Sequence, residues 1–392
     1  MTSEWNHFAL GEITELVIDY RGKTPKKLGG DWCKQGYRAL SAKNIKTGRI
    51  VQAETIRYID ESLYRKWMKD EVQRGDILIT SEAPFGQIFF WDSDEKIVLS
   101  QRLFCVRIKP EYDARFIYYY MTTPEFQSEL DGRATGTTVI GLRQPELMKC
   151  VIRCPEIQEQ KVIAAILSSI DAKIIANEKV NDNLQQQAAA LFSSLYDRSN
   201  TEVRFTDLIQ ILGGGTPKTG ENTYWNGNIA FFTPKDVGIP YTLITEKTIS
   251  KEGLSHCNSR LYPVNTVFVT ARGTVGKVGM SGVPMAMNQS CYALVGKETH
   301  QLLVYFYTLK AVDRLKHKAS GAVFDAITTR DFESEQIMKL SDDDAKAFLC
   351  IAEPMFQKVL NNCIENLRLS TLRDSLLPKL MSGEVDVSAV QL

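Results

Sequence analysis

The chain has 392 residues, 44% hydrophobic and 24% charged, a balance that excludes a disordered chain and leaves room for two or more cores. With 47 basic against 47 acidic side chains, the net charge gives no global indication of a nucleic-acid partner. No run of about 18 apolar residues occurs and residues 1–12 lack the pattern of a signal peptide, so we expect a cytoplasmic protein without membrane contact.

The predicted elements alternate between globular and helical segments. Short runs of Val, Ile, Phe, Tyr and Thr, separated by Gly, Pro, Asn and Asp, predict mixed β structure, with short helices near 116–121 and 302–309. The expected order is a globular domain over 1–155, a long helix over 156–198, a second globular domain over 199–340, a second long helix over 341–385, and a tail over 386–392.

An internal repeat supports this division. Gly22-Lys23-Thr24-Pro25 reappears as Gly214-Gly215-Thr216-Pro217, and Ala134-Thr135-Gly136 reappears as Ala319-Ser320-Gly321. The shift between the copies drifts from 192 to 185 residues, which indicates a duplicated unit with small loop insertions. We therefore expect a pseudo-twofold molecule built from two copies of one plan.

The long helices carry coiled-coil seams. Apolar residues alternate spacings of four and three from Ile163 to Leu195 and from Phe348 to Leu380, with one lapse at Arg373. Pro354 and Pro378 predict a kink and an end in the second helix.

Asparagines interrupt the middle of each seam, at Asn177 and Asn181 and at Asn362 and Asn366. Buried amides at such positions fix helix register, whether the helices pair parallel or antiparallel. Antiparallel pairing is favoured because it places one globular domain at each end of a spacer of about 60 Å. The alternative is that each helix packs only on its own domain.

A local excess of positive charge lies near the N-terminus. Between Arg21 and Arg49 there are nine basic residues and a single acid, Asp31. Such a run is either a solvated face or a surface for DNA phosphates, and the sequence leaves both open.

The motifs of nucleotide and metal enzymes are absent. Gly276-Lys277 lacks the other residues of a P-loop, and the run Gly213-Gly214-Gly215 fits no dinucleotide fingerprint. The four histidines have no metal-ligand spacing, and the eight dispersed cysteines favour buried free thiols. We expect no catalytic residue, no metal site and no cofactor in this chain.

Two strings resemble a known family. Leu212-Gly213-Gly214-Gly215-Thr216-Pro217-Lys218, followed by Phe231-Phe232-Thr233-Pro234-Lys235-Asp236-Val237, closely resembles the target-recognition domain of Type I restriction-modification specificity subunits. So does the C-terminal run from Leu372 to Glu384. The first copy matches less sharply, with a displaced Trp32. The resemblance implies an α+β fold in which two mixed α/β recognition domains are separated by two long helices that form an antiparallel coiled coil.

The same resemblance implies the function. Each recognition domain is expected to read one half of a bipartite, asymmetric sequence in double-stranded DNA, while the helices set the gap and bind two modification subunits and, where present, two restriction subunits. The modification subunits use S-adenosylmethionine to methylate adenine N6, and the restriction subunits use ATP and Mg²⁺. The other interpretations are a protein-interaction scaffold and a stand-alone DNA-binding regulator.

The DNA contacts are expected on exposed loops near the Thr-Pro turns, which are equally well explained as structural turns. Candidates in the first domain are Lys23, Thr24, Lys26, Lys27, Lys43, Asn44, Ser81, Phe85, Arg102, Arg133 and Thr135. Those in the second are Thr216, Lys218, Lys235, Arg272, Thr274, Val275, Lys277, Gln289, Lys318 and Ser320.

Overall fold

Residues 5–136, 140–238, 240–318, 326–387 and 390 are described by this computed structural model. The chain falls into two units, one formed by Met1–Ala172 with Leu369–Leu392 and the other by Lys173–Arg368. Each unit combines helices with sheets, so the α+β class is confirmed.

The first unit is built from short strands. They are β1 (Asn6–Ala9), β2 (Thr14–Asp19), β3 (Tyr37–Leu40), β4 (Ile45–Lys46), β5 (Arg49–Ile50), β6 (Arg57–Ile59), β7 (Ile77–Thr80), β8 (Ile88–Phe90), β9 (Ile97–Leu99), β10 (Leu103–Ile108) and β11 (Val151–Cys154). Its helices are α1 (Leu10–Ile13), α2 (Glu61–Trp67), α3 (Ala114–Met121), α4 (Pro124–Arg133), α5 (Gln144–Leu147) and the start of α6 (Ile157–Asp197). The sheet orders are β2-β10-β7-β8, β6-β3-β9, β1-β11 and β4-β5.

The second unit follows the same plan. Its strands are β12 (Thr201–Arg204), β13 (Ile209–Gly213), β14 (Trp225–Phe232), β15 (Tyr241–Thr242), β16 (Lys247–Ile249), β17 (Val267–Thr270), β18 (Val278–Ser281), β19 (Met285–Met287), β20 (Cys291–Gly296) and β21 (Gln336–Lys339). Its helices are α7 (Phe205–Leu208), α8 (Lys251–Ser255), α9 (Gln301–Lys318), α10 (Thr329–Glu333) and part of α11 (Asp342–Met381). The sheet orders are β13-β20-β17-β18-β15, β16-β14-β19 and β12-β21.

The duplication expected from the sequence is therefore confirmed at the level of topology. Strands β2-β10-β7-β8 correspond to β13-β20-β17-β18, and the parallel pair β3-β9 corresponds to β14-β19. Strand β15 extends the larger sheet of the second unit, whereas the equivalent segment of the first unit forms the hairpin β4-β5.

Each unit closes its core with the ends of the long helices. In the first unit, Ile163 and Leu167 of α6 and Leu380 of α11 join the cluster formed by strands and α3. In the second unit, Phe192 of α6 and Phe348 of α11 pack in the same way against α9. The apolar seam of each helix is thus continuous with the core of the unit in which that part of the helix lies.

Two expectations about helices need correction. Helix α9 runs to Lys318, well beyond the short helix predicted near 302–309, because buried side chains continue along one face to Leu315. Helix α11 continues through Pro378 and ends at Met381, while the kink expected at Pro354, inside the same helix, stays a prediction. The packing of Leu380 and Met381 on the core offsets the hydrogen bond that Pro378 removes. The described part of the chain contains no helix long and apolar enough to cross a membrane.

Candidate DNA-recognition site

A loop with the same hydrogen bonds follows the buried strands β7 and β17. The amide of Gly86 donates to the carbonyl of Thr80 at 3.1 Å, and that of Gly276 donates to the carbonyl of Thr270 at 2.9 Å. Both glycines have a positive φ, 69° and 73°, which an L side chain rarely adopts. A strand that ends in Thr, followed six residues later by Gly, therefore produces a loop closed by the same hydrogen bond in both units.

A second segment braces each loop. The amide of Ser81 donates to the carbonyl of Arg102 at 2.9 Å, and the amide of Ala271 donates to the carbonyl of Ser290 at 2.8 Å. On the other side of the loop, the backbone of Glu82 forms an isolated antiparallel β-bridge with Gly141. The backbone of Arg272 forms the corresponding bridge with Ala326. We call each loop with its two braces a recognition frame: residues 81–86, 102 and 141 in the first unit, and residues 271–276, 290 and 326 in the second.

A cation-lined cavity adjoins the frame of the first unit. Its volume is about 360 Å³, and its walls include Trp32, Lys43, Arg57, Gln101 and Arg102. No acidic side chain is among its lining residues in the part of the chain that the structure describes. A concave surface of this charge suits phosphate oxygens and base edges.

A cation over an indole ring also recurs in both units. The guanidinium of Arg57 lies 5.3 Å from the ring centre of Trp32, and the ammonium of Lys247 lies 5.6 Å from that of Trp225. These four residues were missing from the sequence-based candidates. The signal was available, because the spacing from Trp32 to Arg57 nearly repeats that from Trp225 to Lys247.

The first Thr-Pro turn is only partly available for DNA. Lys26 is exposed, and so is Lys27, whose ammonium donates to the carbonyl of Gly22 at 2.9 Å. Lys23 is half-buried; it donates to the carbonyl of Trp67 at 2.5 Å and lies 3.8 Å from the ring centre of Tyr20. Burial, followed by repulsion from Lys69, lowers the pKa of Lys23. Lys23 is thus engaged with the protein, and its role as a phosphate contact stays a prediction.

Asn44 and Ser81 are corrected, because each is only 1% exposed. Asn44 accepts from the amide and hydroxyl of Ser41 at 3.1 and 2.9 Å and donates to Thr55 at 3.0 Å. Asp236 makes the same contacts with the amide and hydroxyl of Thr233 in the second unit. These side chains shape a turn that presents the exposed Lys43 and Lys235.

Other candidates of the second unit lie on its surface. Thr216, half-buried, donates through its hydroxyl to the side-chain oxygen of Gln289, which joins the Thr-Pro turn to the segment beside the frame. Lys218, Arg272 and Lys277 are exposed, as is Thr274, whose hydroxyl donates to the carbonyl of Pro234 at 3.3 Å.

Four further candidates are engaged with protein. Arg133 binds Glu129 at 2.9 Å, and Lys318 binds Glu335, whose side chain is fully buried. Phe85 and Val275 pack, half-buried, against the cores of their own units. Thr135 is exposed and pairs through its backbone with Gly141, while Ser320 lies outside the described residues.

The seam asparagines pair in the antiparallel sense. Nδ2 of Asn177 donates to Oδ1 of Asn366 at 2.8 Å, and Nδ2 of Asn362 donates to Oδ1 of Asn181 at 2.8 Å. Because a later residue of α6 meets an earlier residue of α11, the antiparallel coiled coil is confirmed.

Arg373, the charged residue that interrupts the apolar seam of α11, forms an ion pair within the first unit. Arg373 binds Asp171 at 2.7 Å, and the hydroxyl of Tyr119 donates to the same carboxylate at 2.7 Å. Burial lowers the pKa of Arg373, but the hydrogen bonds to Asp171 and Asp374 outweigh it and leave the pKa raised. Among the described residues, no group of three or more His, Cys, Asp or Glu side chains could hold a metal ion.

Comparison with known proteins identifies the family. The model of the Type I restriction modification DNA specificity domain matches residues 2–186 and 198–339. The chain therefore belongs to the Type I restriction-modification DNA specificity family. It is a DNA-specificity subunit, which is the subunit of such complexes that does no catalysis.

Relatives and a solved structure agree with this assignment. The specificity subunit of the Type I restriction enzyme MjaIX from Methanocaldococcus jannaschii is 22% identical and covers 80% of this chain and 78% of its own length. That of HindI from Haemophilus influenzae is 23% identical and covers 81% and 88%. The crystal structure of a Type I restriction-modification S subunit from M. genitalium, at 16% identity, covers 96% of both chains with a TM-score of 0.61 and has the same fold.

Proposed function

We propose that the two units read the two halves of one bipartite DNA sequence, each through its own recognition frame. The observation that carries this proposal is the repetition of the frame with different side chains on it. Matched hydrogen bonds close and brace the loop in both units, while Glu82 stands where the second unit has Arg272. Two frames with matched backbone hydrogen bonds but different side chains suit two different half-sites.

The domain division at residues 155, 198, 340 and 385 belongs to the same proposal. Residues 1–155 and 199–340 are the two reading domains, and α6 and α11 set the unread gap between half-sites. A regulator that acts alone would gain nothing from two different frames in one chain, and a pure scaffold would have no use for the cation-lined cavity.

The long helices are proposed to bind two modification subunits, and two restriction subunits where these are present. In the second unit, Ile175, Val180 and Ile351 are 49%, 43% and 48% exposed on α6 and α11. Apolar side chains exposed on paired helices suit a protein partner. S-adenosylmethionine would then be held by the modification subunits, and ATP and Mg²⁺ by the restriction subunits. A cytoplasmic location, where the chain would meet its DNA, belongs to the same proposal.

The test is co-expression of the chain with its modification subunit, followed by mapping of methylated adenines across genomic DNA by single-molecule sequencing. The expected result is a two-part motif with a fixed gap that disappears when this chain is omitted. A stable complex that methylates without any motif would contradict the proposal and favour a scaffold.

A further inference from the structure

The two recognition frames carry opposite charges at one equivalent position. Position 82 is a glutamate in the first unit, and its counterpart, position 272, is an arginine in the second. The brace is changed as well, because Arg102 in the first unit corresponds to Ser290 in the second. Each frame therefore presents one arginine, from the brace in the first unit and from the loop in the second.

Arg102 is held in place within its frame. Its Nε lies 3.0 Å from Oε1 of Glu82, and its side chain is 48% exposed. The φ of Arg102 is 64°, a left-handed value, and its carbonyl accepts from the amide of Ser81. Glu82 contacts the guanidinium at Nε, and Arg102 also lines the cation-lined cavity.

Arg272 is fixed through its backbone. It forms an isolated bridge with Ala326, and its amide donates to the carbonyl of Ser290 at 3.3 Å. Its side chain is exposed, and within residues 240–318 and 326–387 no acidic side chain is paired with it. A rigid backbone that projects an exposed guanidinium suits recognition of a planar, doubly accepting group.

We propose that each frame reads one guanine, through Arg102 in the first unit and through Arg272 in the second, with Glu82 as the positioning residue for Arg102. This inference rests on the proposed function. An arginine can donate two hydrogen bonds to O6 and N7 of guanine in the major groove, which gives roughly 5-fold to 150-fold discrimination against another base. The reading arginine thus belongs to the bracing segment in the first unit and to the loop itself in the second.

The test uses the full chain in its complex with modification subunits, with Arg102→Ala and Arg272→Ala compared with the unchanged chain. Each variant is expected to lose the requirement for one guanine in one half of the motif and to leave the other half unchanged. Exposed arginines that also pair with acids, Arg65 with Glu61 and Arg204 with Asp207, provide the controls Arg65→Ala and Arg204→Ala, which should not alter the motif.

Binding measurements separate base reading from phosphate contact. Duplexes with the full motif and with the guanine pair replaced by A·T are titrated with each complex at several salt concentrations. Arg272→Ala should remove the difference between the two duplexes. Equal weakening on both duplexes, with a salt slope lower by about 1, is the mark of a phosphate contact and would overturn the inference.

Glu82→Gln tests the positioning role. The substitution keeps Arg102 and removes the charge that holds it, so discrimination at that guanine should fall while Arg272 reads normally. An unchanged motif in all three variants, or a half-site without any G·C pair, would also overturn the inference. If the unchanged chain directs no motif at all, the proposed function itself has failed.

Discussion

The amide of Asn362 donates a 2.8 Å hydrogen bond to the side-chain oxygen of Asn181, and both side chains are buried between α6 and α11. About one helical turn away, Asn177 and Asn366 make the corresponding contact. The side-chain oxygen of Asn362 has no partner within the described residues. These amides thus favour one register at some cost in stability, as polar residues in a coiled-coil seam commonly do.

Asn362→Leu alone should destabilise the helix pair. It leaves the buried side-chain oxygen of Asn181 without its hydrogen-bond donor, which costs about 1–3 kcal/mol of unfolding free energy. Adding Asn181→Leu should recover this loss, because two leucines at these positions extend the apolar seam. Thermal unfolding of the four chains of this double-mutant cycle measures the coupling.

The matched control is Asn361→Leu, which changes the neighbouring, exposed asparagine of α11. It should leave the melting temperature nearly unchanged. Additive losses in the double variant would show that the two amides do not act together.

Arg373→Ala should destabilise the first unit by about 1–3 kcal/mol, because Asp171 is then left partly buried without its cation. Chemical denaturation followed by tryptophan fluorescence measures the loss. Arg368→Ala, an exposed arginine on the same helix, is the control and should cost less than about 0.5 kcal/mol. Equal effects of both substitutions would contradict a specific role for the ion pair.

Gly214→Ala should disrupt the second unit, whereas the equivalent Gly22→Ala should not. A Cβ at Gly214 would lie 2.2 Å from the carbonyl oxygen of Asn288, while nothing lies within 4 Å of a Cβ at Gly22. Because a backbone oxygen cannot move aside without breaking the fold, the expected loss at Gly214 is about 2 kcal/mol or more. Differential scanning calorimetry of both variants tests this asymmetry between the copies.

The cysteines should differ sharply in reactivity. All eight are free; Cys33 and Cys350 are exposed, while Cys150, Cys154 and Cys291 are buried. Burial raises the pKa of these three thiols to about 12, so they stay protonated and unreactive at pH 8. A time course with iodoacetamide, read by mass spectrometry, should show Cys33 and Cys350 modified first. Early modification of Cys154 would contradict the structure.

The duplicated architecture was predictable because it depends on patterns that survive loop variation. Repeated Thr-Pro turns and a seam with alternating spacings of four and three are visible without any structure. The asparagines alone do not decide whether the two helices pair parallel or antiparallel, because they meet one another in both arrangements. The contact between Asn177 and Asn366 decides it.

Individual site residues were harder to predict, because residue type does not reveal where a side chain points. Lys23 and Asn44 have the chemistry of DNA contacts, but the ammonium of Lys23 contacts Trp67 and Asn44 is buried. Glu82 was missed because acids repel phosphates, and its contact with Arg102 depends on two segments that the fold brings together. Arg272 is exposed, as the sequence predicts for a loop residue, and its role in DNA binding stays a prediction.

The most direct test of the account is to exchange residues 199–340 for the equivalent domain of a relative and to map adenine methylation by the complex. If each unit reads one half-site, only one half of the motif should change, and the other half and the gap should stay the same. A change in both halves would contradict independent reading by the two units.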